Sequence, residues 1–331
     1  MEFYPQDAVS AADSAACAAL FAEHTLLLVR PTSFAHASPP SRPSLALTSP
    51  VLASQSTDEV VYHFFPQPAV SNANLGQLTL DLAINTLLQN GEAFGVELTR
   101  VGHLLSEAAP PIAGGAAFAT QQPQALCLNL EGLYQSKEKK LTIIQQRAPV
   151  LPGRAHAFAQ ELVQWAVKSK VATLAVVAGC DDMLRHDSNM MSRPIRTIYS
   201  AAAAQLDEAF VTRFEGLTTS VKGVQEASET PSSSAGQWAP IRGAGLAPLL
   251  HAQCDEQKLP FIAWVMPCAE GNNVPDAAAM ATQLFHSLRI APKVAANPAT
   301  MSSSMPPMLP FAFPPSWNQL FGRGPDVSLY L

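Results

Sequence analysis

Apolar and polar positions alternate along this chain in two recognisable rhythms. Uniform apolar runs of strand length occur at 24–29 (HTLLLV), 171–178 (VATLAVVA) and 261–266 (FIAWVM). A run with no polar alternation is what a central strand covered on both faces requires. VVYHFF at 60–65 competes with 24–29 for the role of first strand. The earlier run is preferred, which leaves a long insertion after it. The second rhythm is helical. Leu75, Leu78, Leu82 and Ala83 recur at helical spacing, followed by Thr86 and Leu87. Asn72 or Asn74 is the expected cap of that helix and Asn90-Gly91 its expected end. A helix over 155–168 carries Phe158, Leu162, Trp165 and Ala166, and another over 275–288 opens at Pro275. A short strand is predicted at 93–98. A hairpin is predicted from strands 125–130 and 141–146, with SKEKK at 136–140 exposed near its turn. Strands alternating with helices in this way predict an α/β fold in layers.

Proline marks where packing is interrupted. The chain holds 28 prolines, concentrated in 31–50 and 292–315, and 223–240 is a third stretch rich in small polar residues. Such sequence buries little and is expected to be disordered. The predicted organisation is one α/β domain over 1–321, with flexible insertions at about 31–58, 223–240 and 292–312. A C-terminal tail follows at 322–331.

Composition narrows the function. Hydrophobic residues make up 48% of the chain and charged ones only 14%, with 20 Lys+Arg against 26 Asp+Glu and a net charge of -6. That balance lacks the basic footprint of a nucleic-acid binder and the polybasic patch of a membrane-surface protein. No run approaches the roughly 20 apolar residues that span a bilayer. The first basic residue is Arg30, so no positively charged signal region is expected, and cytoplasm and nucleus are the expected locations. Cys17, Cys127, Cys180, Cys254 and Cys268 are scattered and form no CxxC pair, which suits reduced thiols, with Cys127 and Cys180 as small core residues.

Catalytic signatures are sparse. The chain has no GK dipeptide, no GxSxG and no HExxH. Gly243-Ala244-Gly245 resembles a dinucleotide turn, but Pro248 stands where a third glycine belongs. The polar cluster CDDMLRHD at 180–187 follows a central strand, where α/β sheets bind ligands. Cys180, Asp182 and His186 lack the tight pairing of metal ligands, and a solvated loop is the better reading. No metal or cofactor is expected. At the other end, Leu329-Tyr330-Leu331 places three apolar residues in the last positions. They either dock back on the domain or insert into a partner, with the carboxylate pairing to a lysine there.

Four stretches resemble the proteasome assembly chaperone 2 family: PAVSNANLGQLTLDLAINTL at 68–87, MMSRPIRTIYS at 190–200, RGAGLAPLLHAQCDEQKLPFIAWVMPCAEGNNVPDAAAMATQL at 242–284 and FPPSWNQLFGRG at 313–324. They stand in family order. Asn272 departs from the family's usual Asp. The resemblance implies a phosphorylase/hydrolase-like α/β/α sandwich without catalytic activity. It implies a heterodimer with proteasome assembly chaperone 1 that binds the α-ring of the nascent core proteasome. There it would support ring assembly and prevent off-pathway association. It also implies that Leu329, Tyr330 and Leu331 match a hydrophobic-Tyr-any tail that enters an α-subunit pocket. Asn74, Gly76, Gly271, Asn273, Pro275 and Asp276, within the quoted blocks, are expected to shape turns and helix caps rather than to bind.

Two other readings compete. One is a nucleoside phosphorylase/hydrolase-like enzyme using Asp181, Asp182, His186 and Glu270, although no nucleophile–base pair can be identified among them. The other is a plain scaffold with a docked terminus, which protease sensitivity of 322–331 would separate from a free tail.

Overall fold

The uniformly apolar runs become adjoining parallel strands in the computed structural model. It describes residues 1–5, 25–29, 71–110, 118, 131–146, 149–183, 194–205, 234–293 and 309–319. The strands are β1 (Glu2–Pro5), β2 (Thr25–Val29), β3 (Thr99–Leu105), β4 (Glu131–Ser136), β5 (Leu141–Gln146), β6 (Thr173–Asp181), β7 (Arg196–Tyr199) and β8 (Phe261–Cys268). Among the described residues they form an eight-stranded sheet in the order β1-β3-β4-β5-β2-β6-β8-β7. β5, β2, β6 and β8 run parallel, and antiparallel strands complete both sides. The preferred first strand at 24–29 is therefore a central strand, while the rival 60–65 lies outside the described residues.

Helices cover both faces. They are α1 (Leu75–Phe94), α2 (Ala155–Lys168), α3 (Ala201–Ala204), α4 (Ser234–Trp238), α5 (Ala247–Gln257) and α6 (Val274–Ser287). Strand pleating sorts side chains between two cores. Leu174, Val176 and Ala178 of β6 join Phe261, Ala263 and Val265 of β8 beneath α2 and α5. Ala175 and Val177 join Ile262, Trp264 and Met266 beneath α1 and α6. Both strands are buried on both sides, which is why they carry no polar alternation. Among the described residues, no helix is long and apolar enough to cross a membrane.

Several predicted boundaries shift. The strand expected at 93–98 starts at Thr99, because α1 runs past Asn90-Gly91 to Phe94 and ends on Gly95 in the left-handed conformation (φ 63°). Asn90 leaves helical geometry (φ −118°), so it marks a kink rather than the end. The hairpin pairs β5 with 131–136, and the expected strand at 125–130 lies outside the described residues. Its turn falls on the lysine-rich segment, with Lys140 at φ 47°. Parts of the expected insertions are structured. Residues 234–238 form α4, and Lys293 donates its backbone N–H to the Ala93 carbonyl (2.6 Å). Leu309 and Phe311 pack against the core under α6. Local composition missed these segments because their partners are distant in sequence. The insertion 31–58 lies outside the described residues.

One buried polar device belongs to the α2–α5 layer. His251 of α5 stacks on Phe261 (4.9 Å between centroids), and its Nδ1 accepts the Trp238 indole N–H (2.9 Å). Burial lowers its pKa, and Asp255, 3.4 Å from Nε2, partly opposes this. The folded protein thus holds a neutral imidazole that the unfolded chain protonates near its ordinary pKa of about 6.5. Above that pH both states are neutral. Below it the unfolded state binds the proton first, so stability falls as pH drops, until the lowered native pKa is passed. Melting curves from pH 8 to pH 5 are expected to show this loss, and the His251→Gln variant a smaller one. An unchanged slope in the variant would assign the acid sensitivity to other groups.

Candidate functional site

The carboxyl ends of the parallel strands are where an α/β sheet ordinarily receives a ligand, at the point where connections leave in opposite directions. β2 leads outward toward β3, and β6 leads the other way toward β8. Here three segments converge on the ends of β6 and β8. They are the approach to α1 at 71–75, the turn at 242–245 and the strand ends themselves.

Asn72 holds them together. Its side-chain amide donates to the Cys268 carbonyl (2.5 Å) and to the Cys180 carbonyl (3.4 Å). Its backbone N–H donates to the Gly243 carbonyl (2.8 Å), and Asp181 N–H donates to the Arg242 carbonyl (2.8 Å). Ser71 and Ala244 form an isolated antiparallel bridge. The Cys268 thiol faces the Asn72 carbonyl (3.3 Å). Reaching this position costs the backbone something. Ala73 and Asn74 both adopt left-handed conformations (φ 57° and 58°), which each disfavour by about 1–2 kcal/mol outside glycine. Asn74 stands before α1 in that geometry and makes no side-chain cap, so the expected capping by Asn72 or Asn74 is corrected. Asn72 bonds instead to strand ends far along the chain. Gly76 is buried in the first turn of α1.

Close approach, not conformational freedom, requires Gly179. A Cβ there would lie 2.4 Å from the Asn72 carbonyl oxygen and 2.6 Å from the Cys268 sulfur. Gly243 combines both demands, with φ 77° and the Asp181 nitrogen 3.3 Å from where a Cβ would stand. The Gly243-Ala244-Gly245 turn is thus used to join the protein's own strand ends.

The described members of the expected acid cluster, Asp181, Asp182 and Glu270, are placed as follows. Asp181 Oδ1 accepts the N–H of Met183 (2.9 Å), a turn closed within its own loop. Asp182 N–H donates to the Cys268 carbonyl (3.3 Å), and Glu270 is exposed. His186 lies outside the described residues. Among the described residues, no group of three or more His, Cys, Asp or Glu side chains could hold a metal ion. Cys180, Cys254 and Cys268 are buried thiols that form no disulfide, while Cys127 lies outside the described residues. Burial first, and then Asp255, push the Cys254 pKa far up, so that thiol stays protonated and inert.

The Gly271–Asp276 block shapes the entry to α6. Gly271 has φ 139°, and Asn273 sits at the cap position with its side chain turned back to the carbonyls of Ala269 (3.0 Å) and Gly271 (3.1 Å). It forms no side-chain cap on the helix, contrary to expectation. Asn272 Oδ1 accepts Val274 N–H (3.2 Å), which an amide oxygen does as a carboxylate would. Pro275 and Asp276 occupy the first turn, where a fixed φ and a negative charge both suit a helix start.

Sequence reasoning missed the partner of the 313–324 block. Residues 309–319 lie against α1 and α6. Asn85 donates its amide to the Ala312 carbonyl (2.8 Å), and Ala312 N–H donates to Thr86 Oγ1 (3.0 Å). Phe311 meets Phe285 edge-on (5.7 Å), and Trp317 is buried. Asn85 and Thr86, both fully buried on α1, were the available signal. Leu329, Tyr330 and Leu331 lie outside the described residues.

The fold defines a layered α/β protein in which the ends of β6 and β8 are tied to the chain's own 71–75 and 242–245 segments. The family model described as "PAC2 family" matches residues 67–288. The chain belongs to the PAC2 family. It is 28% identical to "Proteasome assembly chaperone 2" of Danio rerio over 259 residues, 78% of this chain and 90% of that one. It is 25% identical to the protein of the same name from Mus musculus, over 80% of this chain and 93% of that one. A crystal structure of Pyrococcus furiosus PbaA, an archaeal homolog of proteasome-assembly chaperone, aligns over 69% of this chain and 76% of its own with 14% identity and a TM-score of 0.43.

Proposed function

We propose that this protein is a proteasome assembly chaperone acting in cytoplasm and nucleus. It pairs with a related chaperone, the counterpart of proteasome assembly chaperone 1, and the pair binds the α-ring of the forming core proteasome. There it supports ring assembly and prevents off-pathway association. The observation that carries this reading is the match to relatives named for that role across about four-fifths of this chain and nine-tenths of theirs. The tied strand ends suit a binding rather than a catalytic role, because Asn72 and the 242–245 turn spend their polar groups on the carboxyl ends of β6 and β8.

The C-terminal tail supplies the anchor. A buried Leu or Tyr side chain stabilises a complex by roughly 1.5–3 kcal/mol, so three residues alone are a weak ligand. Tethered to a body that also touches the ring, they bind at high effective concentration. Removing Leu329, Tyr330 and Leu331 is expected to weaken binding to purified α-rings about 10- to 100-fold, while the chaperone partner is retained. The measurement is affinity capture of the N-terminally tagged protein from its own cell extract, with and without these residues, followed by titration against isolated rings. Recovery of neither α-subunits nor a second chaperone would overturn the proposal in favour of a nucleoside-cleaving enzyme.

A further inference from the structure

We propose that Trp238 and His251 form an acid-sensitive latch on the 242–245 turn, closed while the imidazole is neutral and opened when the ring takes a second proton. Of residues 236–243 only Trp238 is buried, so its indole pins this stretch to the body. The indole meets the His251 ring edge-on (6.3 Å) and donates its N–H to Nδ1 (2.9 Å), while Phe261 of β8 stacks on the imidazole (4.9 Å). An indole nitrogen can only donate, so Nδ1 carries no proton and the ring's own proton stands on Nε2. Among the described residues Nε2 makes no hydrogen bond, and Asp255 Oδ2 stands 3.4 Å away. A second proton has to enter at Nδ1. There it faces the indole N–H, donor against donor, while the Asp255 carboxylate draws the charged ring to its own side.

Release does not stop at Trp238. Its carbonyl accepts the N–H of Ile241 (2.9 Å), and the next two carbonyls, of Arg242 and Gly243, accept the N–H groups of Asp181 and Asn72 (2.8 Å each). The latch thus lies in series with the tie across the ends of β6 and β8. Among the described residues, Asp255 is the one charge that bears on the ring. α4 and β8 carry none. On α2, His156 and Lys168 are exposed and Glu161 accepts from Ser106 Oγ (2.8 Å). On α5, Glu256 is exposed and accepts from Gln253, Lys258 beyond it is exposed, and the Cys254 thiol stays protonated. Burial lowers the His251 pKa, and Asp255 partly opposes this. The closed form therefore refuses a proton that the open form binds near the ordinary pKa of about 6.5. Above that pH opening is constant. Below it opening rises about tenfold per pH unit, until the lowered pKa of the closed form is passed.

The test is hydrogen exchange on the full chain from pH 8 to pH 5, corrected for intrinsic rates and repeated over a non-denaturing urea series. Local opening is insensitive to urea, whereas global unfolding is not. The Trp238 indole and the amides of Asn72 and Asp181 are expected to exchange by the urea-insensitive route, with opening increased by up to about 30-fold at pH 5. His251→Gln, whose amide oxygen can still accept the indole N–H, is expected to remove this rise. Opening that ignores pH overturns the proposal, as does an equal rise in His251→Gln or a rise carried only by the urea-sensitive route. Should His251→Gln fail to fold, Trp238→Phe serves, since it keeps an aromatic ring and loses the N–H. It is expected to open the Asn72 and Asp181 amides about 2- to 10-fold more often at pH 8, and an unchanged rate overturns the latch.

Discussion

Gly179→Ala is expected to lower the stability of the fold by about 3–5 kcal/mol, from overpacking together with broken buried hydrogen bonds. The added methyl would stand 2.4 Å from the Asn72 carbonyl oxygen and 2.6 Å from the Cys268 sulfur, with Leu75 Cβ at 3.1 Å. None of these is the loose end of a long side chain. The Asn72 carbonyl belongs to backbone already held by the N–H bond to Gly243 and followed by two left-handed residues. Relief requires the 71–75 segment to lift, which separates the Asn72 amide from the Cys268 and Cys180 carbonyls. Chemical denaturation would show a lower midpoint with an unchanged slope. Gly153→Ala is the control. It has nothing within 4 Å of its Cβ position and a φ of 76°, so it costs only about 1–2 kcal/mol of backbone strain. Equal losses in the two variants would mean that the strand ends are not tightly joined.

Trp264→Ala is expected to cost a similar amount, about 3–5 kcal/mol, for a different reason. Trp264 is 1% exposed at the middle of β8 and fills the space beneath α1 and α6. Deleting it leaves a cavity walled by a sheet and two helices, which collapses poorly. For a chain of this size, each 1 kcal/mol lowers the melting temperature by roughly 2–4 °C, so the shift should reach about 10 °C. Phe313→Ala removes a comparably apolar side chain from the surface and should change stability by no more than about 0.5 kcal/mol. A small effect of Trp264→Ala would mean that the α1–α6 layer is loosely packed on the sheet.

The central strands were legible because burial on both faces leaves a one-dimensional signature. Every residue from Phe261 to Cys268 is buried, so no polar residue interrupts the run. Helix α2 was legible to the residue for a related reason, since Phe158, Leu162, Trp165 and Ala166 all face one layer. Edge and boundary elements were less so. β3 and β4 carry mixed polarity on the flank of the sheet, and their limits follow from pairing register rather than composition. The candidate site was hardly visible. Asn72 looked like a helix cap because asparagine before an apolar helical pattern usually is one.

What the amino-acid sequence determined by itself is the layered α/β class, the identity of its buried strands and its place among proteasome-chaperone-like chains. Those follow from local periodicity and from blocks of residues that can be read in order. The tertiary structure alone decided that Asn72 would bond to a carbonyl 196 residues away, that Gly179 must be glycine and that the 309–319 segment would lie on Asn85 and Thr86. The physical reason is the range of the interaction. Burial is imprinted on each segment separately, whereas a hydrogen bond between distant segments acquires its meaning only when the sheet brings its two ends together.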